Sequence, residues 1–452
     1  MPPSRSRRAA TLVVAASLLS AAPAAADEVR RLDLAALQAA SRQGPRARMA
    51  HRDTQAASAR VDEADAARLP RITATGYVAP SPEIHCNDPD CTTTDPEDFA
   101  IRISGVLGGG SLSLTQPLYT FGKLTAVREA ARAAVAAQVA LEDELAGDLA
   151  AEAARAYWGL KLARELTYML EDGIDEIDKA KVRLDERIAE GKGEATVQDR
   201  QRVETLIAEA RVQLADARTA EATALAGVRA IVGDDAVDID EDPLAAVEVD
   251  LGTEDTYVAR ARDHRPQVRA ARAGADAAAG LTTLERGAYW PDLALIGSVG
   301  IVRAQGVDDA PSAVYAEPYN NTTGAIAVVL RWNLEPWTTK ARVARAQASQ
   351  RKAEELVELA GTGAALDAHT AWAEAHNAQD RLHAAEDGLA AAKAWRASVL
   401  QADALGLTET KDLADAFLAY FQMRARVVTA IFQWNVATVR LDRATGEFTR
   451  GP

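Results

Sequence analysis

The chain has 452 residues, is 48% hydrophobic but only 5% aromatic, and carries 51 Lys and Arg against 66 Asp and Glu, a net charge of −15. That acidic balance argues against a nucleic-acid-binding surface, and long regular apolar patterns argue against disorder. Much of the apolar content is alanine, which favours helices and buries little area per residue.

Residues 1–26 read as a secretory signal peptide. Arg5, Arg7 and Arg8 form a basic start, Ala9 to Ser20 an apolar run, and Ala24-Ala25-Ala26 a small-residue cleavage site. The run is shorter than the ~20 residues that span a bilayer, and no Cys stands at the cleavage site for lipid attachment. Removal takes the net charge to −18. No later segment is long and apolar enough for a transmembrane helix, which predicts a periplasmic, secreted or β-barrel protein.

The rest of the chain is a duplicated unit. Pro45, Pro70 and Gly76 align with Pro266, Pro291 and Gly297 at an offset of 221, and Gly193, Asp199 and Gly233 align with Gly406, Asp412 and Gly446 at 213. The predicted first repeat is 27–233: a helix, a strand pair at 70–119, and a helical hairpin at 122–232 with its tip at 190–195. An acidic linker follows at 234–253. The second repeat is 254–446, with a helix, a strand pair at 291–334, and a hairpin at 338–445 whose tip lies at 402–408. Residues 447–452 are a short tail.

Each unit opens on an Ala-rich helix (46–69; 267–288), started by a proline in its first turn. Alternating runs follow, Ile72, Ala74, Gly76, Val78 and Leu293, Leu295, Gly297, Val299, Ile301, as strands require. A loop rich in Pro, Asp, Asn and Thr then leads into a second run. In the second unit this is Ile326, Val328, Leu330, Trp332; in the first, Gly105, Gly108, Gly109 and Gly110 interrupt it and predict a bulge or kink. A phosphate-binding reading of these glycines fails because no Gly-Lys-Ser/Thr ending follows.

The hairpins are predicted as long antiparallel coiled coils. No proline falls between Gly122 and Glu190 or between Thr338 and Ala402, which allows helices of about 100 Å. Leu149, Ala153, Ala156, Leu160, Ala163, Thr167 and onward to Ile188 keep strict 4-3 spacing, as do Val203 to Ile231 and Leu413 to Leu441. Gly191-Lys192-Gly193 and Leu405-Gly406 mark the turns.

Four such strands cannot close a membrane barrel alone, since the smallest have about eight. Strands in a membrane therefore demand a ring of chains, and aromatics such as Tyr77, Tyr119, Tyr289, Trp290, Tyr315, Tyr319, Trp332 and Trp337 cluster near the strand ends where a girdle belongs. Soluble hairpins capping a periplasmic coiled-coil adaptor or scaffold are the alternative.

With Ser113-Leu114-Thr115-Gln116-Pro117-Leu118-Tyr119, Phe121-Gly122-Lys123, and the looser Trp332-Asn333-Leu334 with Ala341-Arg342-Val343, the chain resembles the TolC-like outer-membrane efflux proteins. The resemblance implies a mixed, mainly α fold in which three chains build a 12-stranded transmembrane β-barrel continued by a periplasmic α-helical barrel. It implies a passive exit duct of a tripartite efflux or type I secretion system. The implied partners are two further copies of the chain, a periplasmic adaptor (membrane-fusion) protein, an inner-membrane RND or ABC transporter, and outer-membrane lipid; no nucleic acid and no cofactor are implied. Gly406 to Asp415 matches the family's inner tip, placing Asp412 and Asp415 at its entrance aspartates. Asp199 matches the first-tip aspartate of the family's latch. The positions of its usual tyrosine and arginine partners are held by Asp403 and Thr408, which predicts a like-charge Asp199/Asp403 pairing.

Other chemistry is poorly supported. His369, His376 and His383 fall seven apart, about 10.5 Å between neighbours on a helix, too far to share a metal within one chain. Cys86 and Cys91 lie close together in a loop of an exported chain and predict a disulfide, with free thiols or a metal site including His85, Asp88 and Asp90 as alternatives. No Ser-His-Asp set or nucleophile elbow is present, so no enzyme is expected.

Overall fold

The structure is a computed structural model describing residues 29–83, 103–190, 196–307, 319–405 and 410–449. Residues 1–26, read above as a signal peptide, and both cysteines lie outside the described residues.

Among the described residues the chain runs β1 (Arg30–Leu32), α1 (Leu34–Ser41), α2 (Pro45–Ala66), β2 (Arg71–Pro82), β3 (Ile103–Tyr119), α3 (Lys123–Glu190) and α4 (Val197–Val232). It continues through β4 (Val237–Ile239), α5 (Glu254–His264), α6 (Pro266–Gly287), β5 (Asp292–Ala304), β6 (Thr322–Arg331), α7 (Pro336–Ala404) and α8 (Thr410–Thr445), and closes on a 3₁₀ turn, Glu447–Thr449. The fold is mainly helical. The repeat anchors mark the places where elements begin and end. Pro45 and Pro266 start α2 and α6, where a missing N–H costs nothing. Gly233 and Gly446 take positive φ of 75° and 79° just beyond α4 and α8, the left-handed conformation that ends a helix cheaply in glycine.

The long helices α3 and α7 have 68 and 69 residues, each about 100 Å at 1.5 Å per residue. Seam positions Leu149, Ala153, Leu160 and Ala163 of α3 and Val203, Ile207 and Val228 of α4 are buried. The charged residues that interrupt the seams are paired. Lys181 reaches Asp185 at 3.3 Å and Glu204 at 3.4 Å, Glu221 accepts from Arg164 at 3.3 Å, and Arg424 meets Asp172 at 3.2 Å and Glu165 at 3.6 Å.

The four long strands form one antiparallel sheet in the order β2-β3-β5-β6, so the two repeats join through β3 and β5. The predicted bulge falls at Gly105 alone, which takes a φ of 91° where β3 carries an extra residue between Ile103 and Val106, while β3 runs straight through Gly108, Gly109 and Gly110, in register with Val78, Tyr77 and Gly76. The Tyr77 ring covers Gly109 so closely that a Cβ there would lie 2.6 Å from its Cζ, so the aromatic ring fills the space a side chain would take. Opposite Gly105 the shift lies between Pro80 and Pro82, and a second falls between Pro117 and Tyr119; at both, proline cannot donate to the ladder.

Two further strands were not expected. β1 and β4 form a small parallel pair, and the linker that contains β4 is fastened across the helices as a belt. Lys161, with a side chain 4% exposed, pairs with Asp240 and donates to the Asp242 carbonyl at 2.6 Å, while Tyr157 donates to Asp240 at 2.5 Å. Arg164 grips both oxygens of Asp238 at 2.7 and 2.9 Å. Further along, the buried Asn435 of α8 bonds the Val247 N–H and the Ala245 carbonyl, and Trp434 and Trp372 donate to the Val247 and Gly252 carbonyls.

Candidate functional site: the sheet and the helix tips

The cross-strand register sorts the sheet into two unlike faces. One face reads, across β2, β3, β5 and β6, Ile72, Leu114, Gly297, Ile326, and in the next row Ala74, Leu112, Val299, Gly324. The intervening rows, which point the other way, are Thr73, Ser113, Ser298, Ala325 and Thr75, Ser111, Gly300, Thr323. One face is thus apolar and the other small and polar, the alternation of a strand between lipid and a watery lumen. Val78, Ile326, Val328 and Leu330 are well exposed, so nothing among the described residues covers the apolar face there. No helix among the described residues is long and apolar enough to cross a membrane.

At the helix-facing end of the sheet the aromatics gather. Phe121 stacks on Trp290 with centroids 5.7 Å apart, Tyr119 packs edge-on to Phe121 at 4.7 Å, and Trp332 donates to the Tyr289 carbonyl. Phe121 and Gly122 both take positive φ, 49° and 81°, turning the chain from strand into α3. Lys123 then bonds the Trp290 carbonyl at 2.9 Å and Asp292 at 2.8 Å, tying the first repeat to the second at this corner. Trp337, at the start of α7, is 82% exposed.

The sequence-predicted tip residues divide as follows. Asp412 and Asp415 are exposed one helical turn apart at the start of α8, and no cation pairs with either among the described residues. Asp199 is engaged at its own helix start. It serves as the third residue of a capping box, its carboxylate accepting from the Thr196 N–H at 3.0 Å and hydroxyl at 2.6 Å, which satisfies N–H groups that a helix start leaves open. Asp403 instead accepts both Nη atoms of Arg187 at 3.1 Å, joining the end of α7 to the end of α3. That hydrogen bond, with the Asp403 charge, raises the Arg187 pKa above its ordinary value against the opposing effect of partial burial. The Asp403 charge, expected beside that of Asp199, is thus met by an arginine. Gly193, Gly406 and Thr408 lie outside the described residues.

Two features escaped the sequence reading. The Arg187 to Asp403 bridge spans 216 residues and has no local signal. The belt had one: Tyr157, Lys161 and Arg164 share a face of α3 at i, i+4 and i+7, opposite a linker rich in Asp. Between the hairpins, α7 and α8 are also locked to α3 by Arg396, which reaches Glu176 at 3.3 Å and lies 4.0 Å over the Tyr420 ring.

This architecture has solved relatives. The chain superposes on CusC with a TM-score of 0.74 at 16% identity, covering 92% of this chain and 93% of that one. For the outer-membrane channel OprN the values are 0.75, 18%, 92% and 91%, and for the outer membrane protein VceC from Vibrio cholerae 0.71, 18%, 91% and 96%. Among curated proteins none matches the chain in sequence. The sequence pattern of the family described as Outer membrane efflux protein matches residues 36–234 and 257–447, one stretch per repeat. The chain belongs to this family, and its place is the outer membrane, with its helices extending into the periplasm. It serves there as an exit duct of an efflux system.

Proposed function

We propose that three copies of the chain assemble into a twelve-stranded barrel continued by a tunnel of helices. The duct performs no bond chemistry and takes its energy from an inner-membrane transporter, of the RND or ABC kind, reached through a periplasmic adaptor. The observation that carries the reading is the sheet itself. Among the described residues its two outer strands, β2 and β6, have no partners on their outer edges, and exposed edges of this length invite further pairing. Because the four strands alternate in direction, β6 of one copy meets β2 of the next antiparallel, and any ring of copies closes without a break. Two copies give eight strands, but about a hundred ångströms of attached helices must also close around one axis, and the family resemblance favours three.

At the far end, Asp412 and Asp415 of three copies form an acidic entrance that favours cations and binds multivalent ones. The Arg187 to Asp403 bridge holds the two hairpin tips of each chain together and stands in for the family's tyrosine and arginine latch. The test is native mass spectrometry of protein extracted from outer membranes in mild detergent. A mass three times that of the processed chain is expected. A monomer released without detergent would remove the barrel and return the scaffold reading.

A further inference from the structure

Resting on the barrel reading, we infer that the apolar face of each sheet carries a seat for one phosphorylated lipid of the outer leaflet, its phosphate held by Arg303 and one acyl chain lying over Gly297. Arg303 is exposed and shares the apolar face, in register with Gly108 and Val78. It is the one charged residue in the paired rows of that face from Leu293 to Arg303. Its guanidinium donates to the Val302 carbonyl at 2.7 Å and the Asn321 carbonyl at 3.0 Å and lies 3.4 Å from the Thr322 hydroxyl, so it is held in place beside a second donor. Neutral carbonyls do not compensate its charge, and among the described residues no carboxylate pairs with it. A cation fixed on a lipid-facing surface at the headgroup level attracts an anionic headgroup.

The height is set by the strand. Leu293, beside the aromatic cluster, is ten residues below Arg303, about 33 Å along the strand and ~25 Å in depth at a tilt of about 40°. A barrel's apolar band is about 25 Å tall, so the aromatics mark one interface and Arg303 the opposite headgroup level. A second observation lies between them. Gly297, with Ile72, Leu112, Leu114 and Val299, lines a shallow depression of about 170 Å³ on the same face. It is six residues from Arg303, about 15 Å in depth after the same tilt, the length of one leaflet's chains in a core about 30 Å thick. Gly108 and Gly110 leave the path between phosphate and depression open.

The test uses the full-length assembly in mild detergent, stripped of lipid and titrated with a diphosphorylated, acylated disaccharide lipid or the same lipid without phosphates, with bound copies counted by native mass spectrometry. The phosphorylated lipid should bind up to one per chain, roughly fivefold more tightly than its counterpart. Arg303→Gln should erase that preference, Arg303→Lys should keep most of it, and Gly297→Leu should weaken both lipids alike. Equal binding of the two lipids, or an unchanged preference in Arg303→Gln, overturns the seat while the assembly stands. Full displacement by inorganic phosphate marks a site for a free anion and overturns the lipid assignment. If the wild-type chain forms no ring at all, the barrel reading and the seat fall together.

Discussion

Asp442, on the last turns of α8, is mostly buried, and burial together with the nearby charge of Glu447 pushes its carboxyl up to about 6. An acid whose pKa rises on folding binds its proton more tightly in the folded state, so folding loses stability as pH climbs from about 4 to 6 and the penalty is constant above that. Two units correspond to about 3 kcal/mol. Asp442→Asn should therefore raise the denaturant midpoint at pH 7 and leave it nearly unchanged at pH 4; equal gains at both would exclude the carboxyl as the cause. At the belt, burial opposes ionisation of Asp240, but hydrogen bonds from Lys161 and Tyr157 outweigh it and hold the carboxyl below its usual range. Lys161→Met strands that charge and should cost about 3 kcal/mol. Adding Asp240→Asn should restore part of the loss, a coupling read from the denaturation midpoints of the four variants.

Within the sheet, the Tyr77 ring and the bare backbone of Gly109 are complementary shapes. Gly109→Val drives a branched side chain into the ring and should cost about 1 to 3 kcal/mol, seen as loss of the folded band in unheated gels. Tyr77→Ala in the same chain should recover much of it, and no recovery would mean the two residues do not act together. Elements of this kind differ in how far sequence exposes them. The long helices were legible because heptads and the absence of proline are local, and the four long strands because alternation is local too. β1 and β4 were not, since Arg30 pairs with Val237 far along the chain and three residues carry no period of their own. Of the β3 glycines Gly105 does mark an irregularity, but Gly108 to Gly110 misled for a related reason: a glycine run weakens a strand unless a neighbour fills the space, and the neighbour, Tyr77, belongs to another strand. At the tips, the aspartates were legible as residues, but Asp199 turned out to be spent on its own helix start.

On the scale of the whole assembly, the entrance and its fastening are separable in one planar-bilayer experiment. Asp412→Asn with Asp415→Asn should weaken block by a trivalent hexammine complex by roughly tenfold or more while leaving the Arg187 to Asp403 bridge in place. Arg187→Ala, which frees Asp403, should instead raise single-channel conductance and leave block intact. Unchanged block in the first variant would remove the acidic ring, and unchanged conductance in the second would remove the ion pair as a fastening.

The belt has a consequence for symmetry. Duplication makes the proposed ring a circle of six near-equal units, yet the strap between repeats occurs once per chain, so only three of the six seams are crossed by covalent backbone. The β3 to β5 seam is strapped and the β6 to β2 seam is free. A ring built of stiff and compliant joints in alternation does not dilate evenly. In the proposed ring the three free seams are expected to widen first, which would make the opened aperture triangular before it is round.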